Sequence, residues 1–318
     1  MNSPARTFRL GVVGGQWALN YLRTAARLPL VETPRVARAR AIPLDAPFEK
    51  VPVTTDWRAL ADEQPALDGV ILVTPPATHL DMARYFVGKG LPVLVEKPLC
   101  LDENDAVRFE AQVRAARAIA WVDHTHLFHP AFRALKQHCP PGSIERIVSR
   151  GWNRGPVRQD VPMFWDWTPH DVAMILDLLG EEEPGRIVTQ DLEGFAAETG
   201  REATAALELT FPSGAQTRSV TSNMRSPKTK IFCVKTSTAW YRYNPLELHA
   251  LTELPVHTLE EDVWEAKGDP LPYEKGEPLE VLLREFCEAI GRHDTGNDSL
   301  ALGVRVVRIL SAAWRSMV

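Results

Sequence analysis

Short apolar runs alternate with helical stripes through the first third of the chain. Phe8 to Val13 is an apolar run that stops at Gly14-Gly15, the pattern of a strand and a tight turn. Between Trp17 and Leu28 the apolar positions Trp17, Ala18, Tyr21, Leu22, Ala25 and Ala26 make one helical stripe. Val36 to Ile42 reads as a second strand. The two prolines in residues 43 to 50 exclude a full helix there, and Trp57 to Glu63 reads as a short one. Gly69 to Val73 is a buried strand ending in Thr74-Pro75-Pro76. Thr78 to Gly88 is a helix that stops at Gly88-Lys89-Gly90. Pro92 to Val95, Asp102 to Ala118 and Ile119 to Val122 then read as strand, long amphipathic helix and strand. Strand and helix in alternation predict a doubly wound parallel sheet.

After residue 122 the rhythm changes. His129 to His138 is helical, Ile144 to Asn153 alternates like a strand, and Pro169 to Leu179 is a strong helix. Arg186–Leu192, Ala203–Phe211 and Ala215–Ser222 alternate as strands, with more near 229–235 and 238–243. Leu279 to Arg292 and Ser299 to Ser316 close the chain as helices. Strands with few helices between them predict an open, mostly antiparallel sheet in a second domain. The expected division is 1–123 and 124–318, an α/β domain followed by an α+β domain.

A chain of 318 residues, 45% hydrophobic and 24% charged, suits two globular domains. A net charge of −5 with scattered basic residues argues against nucleic-acid or anionic-membrane partners. No apolar run approaches 18 residues, and Met1 to Arg6 lead into a strand rather than a signal-peptide core. Cys100, Cys139, Cys233 and Cys287 lack zinc spacing and read as free thiols of a reducing compartment, so a cytoplasmic location is expected.

Lys97 is the most telling residue. It follows the apolar strand Pro92–Val95, sits between Glu96 and Pro98, and so falls at the carboxyl end of a strand, where such sheets bind ligands. The turn Gly11-Val12-Val13-Gly14-Gly15-Gln16-Trp17-Ala18 lies where a phosphate-binding loop would, but Gln16 and Leu19 stand in for its second and third glycines. With one residue deleted, Ala18 takes the third position. Asp45 is the nearest acid for ribose hydroxyls, and it reads better as a loop residue; Arg38 and Arg40 suit either a 2′-phosphate or a strand edge. Thr74-Pro75-Pro76 forms a stiff loop, followed by His79 in the first turn of a helix. In Asp166-Trp167-Thr168-Pro169-His170-Asp171, Thr168 suits an N-cap and Pro169 the first helical position. His170 would then lie in the first turn, biased toward its neutral, proton-accepting form. His124, His126 and His129 line the expected domain boundary without metal spacing, so no metal is expected.

Over nearly its whole length the chain resembles the glucose–fructose oxidoreductase / inositol dehydrogenase family of NAD(P)-dependent oxidoreductases. The residues that carry the resemblance are Gly11–Gly14, Thr74-Pro75-Pro76 with His79, Gly88 through Glu96-Lys97-Pro98, His126 to Pro130, Asp166 with His170, and Pro278-Leu279. The resemblance implies a Rossmann domain, NAD or NADP as cofactor, and dimers or tetramers packed through the second sheet. It also implies hydride transfer at a secondary hydroxyl of a sugar, nucleotide sugar or cyclitol. By analogy Lys97, Asp166 and His170 are catalytic and share one pocket. Gly11, Gly14, Gly15, Gln16, Trp17, Ala18, Thr74, Pro75, Pro76, His79, Glu96 and Lys97 hold the cofactor. Arg158-Gln159-Asp160 and Trp165 look like the branch acting on nucleotide-linked or amino sugars. The short glycine turn leaves open a cofactor-impaired relative that senses sugars or serves as a partner subunit. Transient oxidation leading to glycoside cleavage also stays open.

Overall fold

The computed structural model describes residues 6–33, 35–40, 44–155, 157–194 and 201–317. The start of the chain through Ala5, and Ala41 to Pro43 of the expected second strand and loop, lie outside these. The chain forms two compact units: Met1–Asp123 with Leu279–Val304, and His124–Pro278 with Arg305–Val318.

The first unit is built on a parallel sheet. Its strands are β1 (Phe8–Gly14), β2 (Val31–Glu32), β3 (Val36–Ala37), β4 (Val53–Thr54), β5 (Gly69–Val73), β6 (Val93–Glu96) and β7 (Ala120–Asp123). They run in the order β4-β3-β1-β5-β6-β7, with β2 also on β1. Leu10, Val12, Val70, Leu72 and Val93 to Val95 are all shielded from water, as strands covered on both faces require. The helices α1 (Ala18–Ala25), α2 (Pro76–Gly88) and α3 (Glu103–Ala116) follow β1, β5 and β6. Asp102 caps α3, accepting the Asp105 N–H at 2.8 Å. The second strand stops at Ala37, short of the expected Ile42, and α1 stops at Ala25, after which the Leu28 N–H closes a turn onto the Ala25 carbonyl at 3.0 Å.

Residues 279–304, expected with the second domain, pack in the first unit. Edge strand β7 explains this. Its unpaired backbone must be satisfied, and side chains from this late segment do it. Asn297 accepts the Ala120 N–H and donates to the Ala118 carbonyl, each at 2.9 Å, while the Ser299 hydroxyl meets both the N–H and the carbonyl of Val122 at 3.0 Å. Helix α6 (Pro278–Arg292) buries Leu282, Leu283, Phe286 and Ile290, and Phe286 tilts against Trp121.

The second unit has α4 (Pro130–His138), α5 (Met163–Leu179) and an eight-stranded sheet. Its strands are β8 (Ile144–Trp152), β9 (Arg186–Glu193), β10 (Thr204–Thr210), β11 (Gln216–Ser222), β12 (Thr229–Thr236), β13 (Ala239–Tyr243), β14 (Leu251–Pro255) and β15 (Asp269–Pro270). The order is β15-β14-β13-β12-β8-β11-β10-β9, antiparallel except for β8 with β11. One face lies under α5: the hydroxyls of Thr168 and Thr221 meet at 2.9 Å. Over the other face, Val263 and Trp264 pack with Val148, Cys233, Trp240 and Leu254. The last helix, α7 (Asp298–Arg315), brings Trp314 to within 6.4 Å of the Phe164 ring. Among the described residues no helix is long and apolar enough to cross a membrane.

Candidate active site

In the first unit the candidate residues sit on strand ends. Lys97 follows β6 directly and is 9% exposed. The Glu96 side chain folds back to accept the Lys97 backbone N–H. His79, expected in an exposed first turn or on the cofactor, is wholly buried instead. Its Nδ1 lies 3.0 Å from the Pro98 carbonyl and its Nε2 2.8 Å from the Thr74 carbonyl. Each ring nitrogen thus faces a carbonyl, and the tautomer sets which N–H donates. His79 therefore latches the loop after β5 to the loop that carries Lys97. Pro75 is the exposed cap of α2 and Pro76 its buried first residue. The Thr78 hydroxyl donates within 2.8 Å of the Thr74 hydroxyl and the Pro75 carbonyl, closing the loop.

The glycine turn is better suited to a dinucleotide than its spacing suggests. A side chain on Gly14 would collide with the Val73 carbonyl on β5, so only glycine lets these strand ends approach. Gly15 borders open space, Gln16 and Trp17 are exposed, and Ala18 is buried against the fold. Trp17 caps α1 with no side-chain hydrogen bond, so its side chain does not block the helix's first amides from an anion. Gly11 plays a different part: a Cβ there would come 2.7 Å from Leu67, so the residue serves packing inside the sheet. Asp45 lies exposed in a turn. The open space at Gly15 and the unblocked start of α1 fit a dinucleotide cofactor.

One buried pair in this unit has no motif to announce it. The Tyr21 hydroxyl on α1 donates to the carboxylate of Asp123 at the end of β7. Burial, then the neighbouring Asp123 and Glu96 carboxylates, push the Tyr21 phenol well above its usual range, so it stays a donor. In the β6–β7 register Asp123 pairs with Glu96, so the tyrosine ties the glycine-turn helix to the strand ends beside Lys97.

In the second unit the candidates sit on a helix, and its start differs from expectation. α5 begins at Met163, with Pro162 as its cap and Pro169 inside. Thr168 is therefore no N-cap, and its hydroxyl bonds Thr221 instead. An interior proline removes a backbone bond and disfavours a helix by about 3 kcal/mol. Burial of Met163, Phe164 and Trp165 opposes that loss, since a buried side chain of this size contributes about 1.5–3 kcal/mol. The consequence is chemical. Asp166, and not His170, occupies the first turn, where the helix dipole favours its negative charge. His170 lies one turn further on the same face, four residues on. His170 therefore lies beyond the first turn, where the dipole of the helix N-terminus acts.

Other side chains frame this helix face. The His170 ring meets the His126 ring edge-on, centroids 5.1 Å apart, and His126 Nδ1 lies 3.0 Å from the Tyr243 hydroxyl. Burial, then nearby Tyr273, push Tyr243 well above the usual phenol range. His129 caps α4 by accepting the Ala131 N–H at 3.1 Å, and burial lowers its pKa. Asp171, fully buried, pairs with Lys230 of β12 at 2.5 Å beneath the helix. Arg158, in the loop before α5, reaches Asp166 at 2.9 Å. Among the described residues no group of three or more His, Cys, Asp or Glu is placed to hold a metal ion. The four thiols are buried; Cys100 is pushed up to about 11 and the others to about 12, chiefly by burial. No residue spacing announces His126–Tyr243 or Lys230–Asp171, because both are long-range pairs made by the sheet.

Comparison with known proteins agrees with this architecture. Residues 8–124 match the family described as an oxidoreductase family with an NAD-binding Rossmann fold. The scyllo-inositol 2-dehydrogenase (NAD(+)) of Bacillus subtilis (strain 168) is 29% identical over 183 residues, 54% of this chain and 53% of that enzyme. A crystal structure from Magnetospirillum magnetotacticum MS-1, assigned provisionally to the oxidoreductases, is 32% identical with a TM-score of 0.85, covering 96% of this chain and 99% of that one. The UDP-N-acetylglucosamine 3-dehydrogenase of Acidithiobacillus ferrooxidans shares the fold, at 20% identity and a TM-score of 0.78 over 97% of this chain and 96% of that one. The matches span about half the length of the first curated relatives, 52, 53 and 55%. With a parallel nucleotide-type sheet, a glycine turn and an open antiparallel sheet all in place, the chain belongs to the Gfo/Idh/MocA family of NAD-binding oxidoreductases.

Proposed function

We propose that this protein moves a hydride between a nicotinamide cofactor, NAD or NADP, and a secondary hydroxyl of a sugar, nucleotide sugar or cyclitol. The observation that carries this reading is the pairing of Asp166 and His170 one turn apart on α5, in a chain of this family. The names of the relatives, an inositol dehydrogenase and a UDP-N-acetylglucosamine dehydrogenase, support the substrate class.

The cofactor, when bound, accepts or returns the hydride. His170, as neutral imidazole, takes the hydroxyl proton during oxidation and gives it back during reduction. Asp166 accepts a hydrogen bond from the substrate, fixing which hydroxyl faces His170. Lys97 donates to substrate oxygen, and its ammonium favours negative charge developing there. Gly14, Gly15, Gln16, Trp17 and Ala18 hold the diphosphate, and Thr74, Pro75, Pro76 and Glu96 shape the far side, with His79 latching that loop. Histidine acid/base work is worth roughly 10²–10⁴-fold. His170→Ala should therefore lower kcat by that range while leaving nucleotide affinity unchanged; near-full turnover would refute the role.

A second copy of the chain is the partner we propose for the outer face of the second sheet. That face carries an open cleft of about 610 Å³ lined by Val148, Arg150, Trp152, Val220 and Trp264, with both charges at hand in Arg218 and Glu260. The Arg150 guanidinium stacks 3.9 Å over Trp264. Sedimentation should show a dimer or tetramer; a monomer at high concentration removes this surface from consideration.

A further inference from the structure

The loop between β8 and α5 carries an arginine bracketed by two carboxylates. Arg158 makes a two-pronged bond to Asp160, Nε to Oδ1 at 3.1 Å and Nη2 to Oδ2 at 2.5 Å. Its remaining terminal nitrogen, Nη1, donates to Asp166 Oδ1 at 2.9 Å. The two-pronged bond fixes the plane of the guanidinium, because the fork of donors matches a carboxylate in one orientation only. The loop itself is tied down from outside: Arg201 donates to the Gln159 side chain at 2.9 Å. The guanidinium therefore reaches Asp166 from a set direction and does not swing as a free surface arginine would.

We propose that Arg158 is a positioning residue: held by Asp160, it orients the Asp166 carboxylate and keeps it charged, so that Asp166 serves as the acceptor for a substrate hydroxyl. This rests on the reading that Asp166 contacts substrate. An ionised Asp166 only accepts hydrogen bonds, so the group it would receive is a substrate donor such as a hydroxyl. His170 lies one turn along α5, with the His126 ring edge-on against it. An arginine here differs from a lysine, since only the planar fork engages Asp160 at two points while reaching Asp166.

The test uses the full chain and two readouts. The first needs no substrate: a carbon-13 NMR titration of the Asp166 carboxyl, assigned with Asp166→Asn. Loss of a cation at this distance shifts a carboxyl by roughly 1–3 pH units. Arg158→Gln should raise the midpoint by at least about one unit and Arg158→Lys by less; an unchanged midpoint in Arg158→Gln overturns the proposal. The second readout is a double-mutant cycle on oxidation of myo-inositol and of UDP-N-acetylglucosamine, each with NAD and with NADP. Arg158→Gln should raise KM or lower kcat/KM by tenfold or more in the wild-type background, because small misplacements at a site carry losses up to about a hundredfold. It should do nothing further in Asp166→Asn. Equal losses in both backgrounds would show that Arg158 acts independently and overturn the proposal, leaving the role of Asp166 intact. A fully active Asp166→Asn would instead remove Asp166 from the site, and the proposal with it.

Discussion

The two units hold their candidate chemistry in different ways. In the first, Lys97, Thr74 and Gly14 sit at strand ends, and their places follow from the register of a parallel sheet whose runs are buried on both faces. In the second, Asp166 and His170 ride on a helix whose start is set by the burial of Met163 to Trp165, against the local signal of Thr168-Pro169. Strand-end chemistry is anchored by backbone pairing and is indifferent to where a neighbouring helix begins. Helix chemistry changes meaning when the boundary moves by six residues, because the dipole then acts on a different side chain.

The sharpest way to probe the helical side is its buried ion pair. Lys230→Met leaves Asp171 charged and buried without its partner, a loss expected at about 3–5 kcal/mol in chemical unfolding. A change below about 1 kcal/mol would mean that the pair does not anchor α5. The helix boundary has its own test. Inside a helix, Pro169→Ala restores an N–H and should stabilise the chain by about 1–3 kcal/mol, whereas at a first helical position it would be nearly neutral. Neutrality would restore the Thr168 cap.

On the strand-end side, the two glycines of the turn should separate. Gly14→Ala forces a Cβ onto the Val73 carbonyl and should lower stability by about 1–3 kcal/mol. Gly15→Ala faces open space and should leave stability alone while weakening nucleotide binding. Equal unfolding midpoints for the two variants would contradict the close approach of β1 to β5. The smallest effect concerns acid. Burial lowers the pKa of His129, and its ring nitrogen accepts the Ala131 N–H, so the folded chain resists a proton that the unfolded chain takes up near pH 6.5. Stability should therefore be fully present above that pH and decline as pH falls below it. His129→Asn, which still caps α4, should flatten the decline; an unaltered slope would assign it to other groups.

How much of this could be read from residue order follows the same division. The strands around Val12, Leu72 and Val95, the open second sheet, and the place of Lys97 were legible because apolar runs and alternation report burial directly. The start of α5 was not. Thr168-Pro169 is a sound cap signal, and only the sheet beneath shows that Thr168 turns to Thr221 instead. Residues 279–304 were expected with the second domain because helical periodicity says nothing about which sheet a helix covers. His79 shows the limit most plainly: its place in a first turn suggested exposure, yet two carbonyls from separate loops enclose it. Arg158 stood in view as part of Arg158-Gln159-Asp160, but its bond to Asp166 needed the loop's path.

Everything proposed for catalysis depends on the first unit holding a nicotinamide cofactor despite Gln16 and Leu19 in its turn. Fluorescence titration of the intact chain with NADH and with NADPH tests this most directly. Saturable binding of at least one, tighter than about 1 mM and weakened by Gly15→Ala, is the expected result. If neither nucleotide binds at millimolar concentration, the turn at 14–18 is no cofactor site and the proposed oxidoreductase function fails.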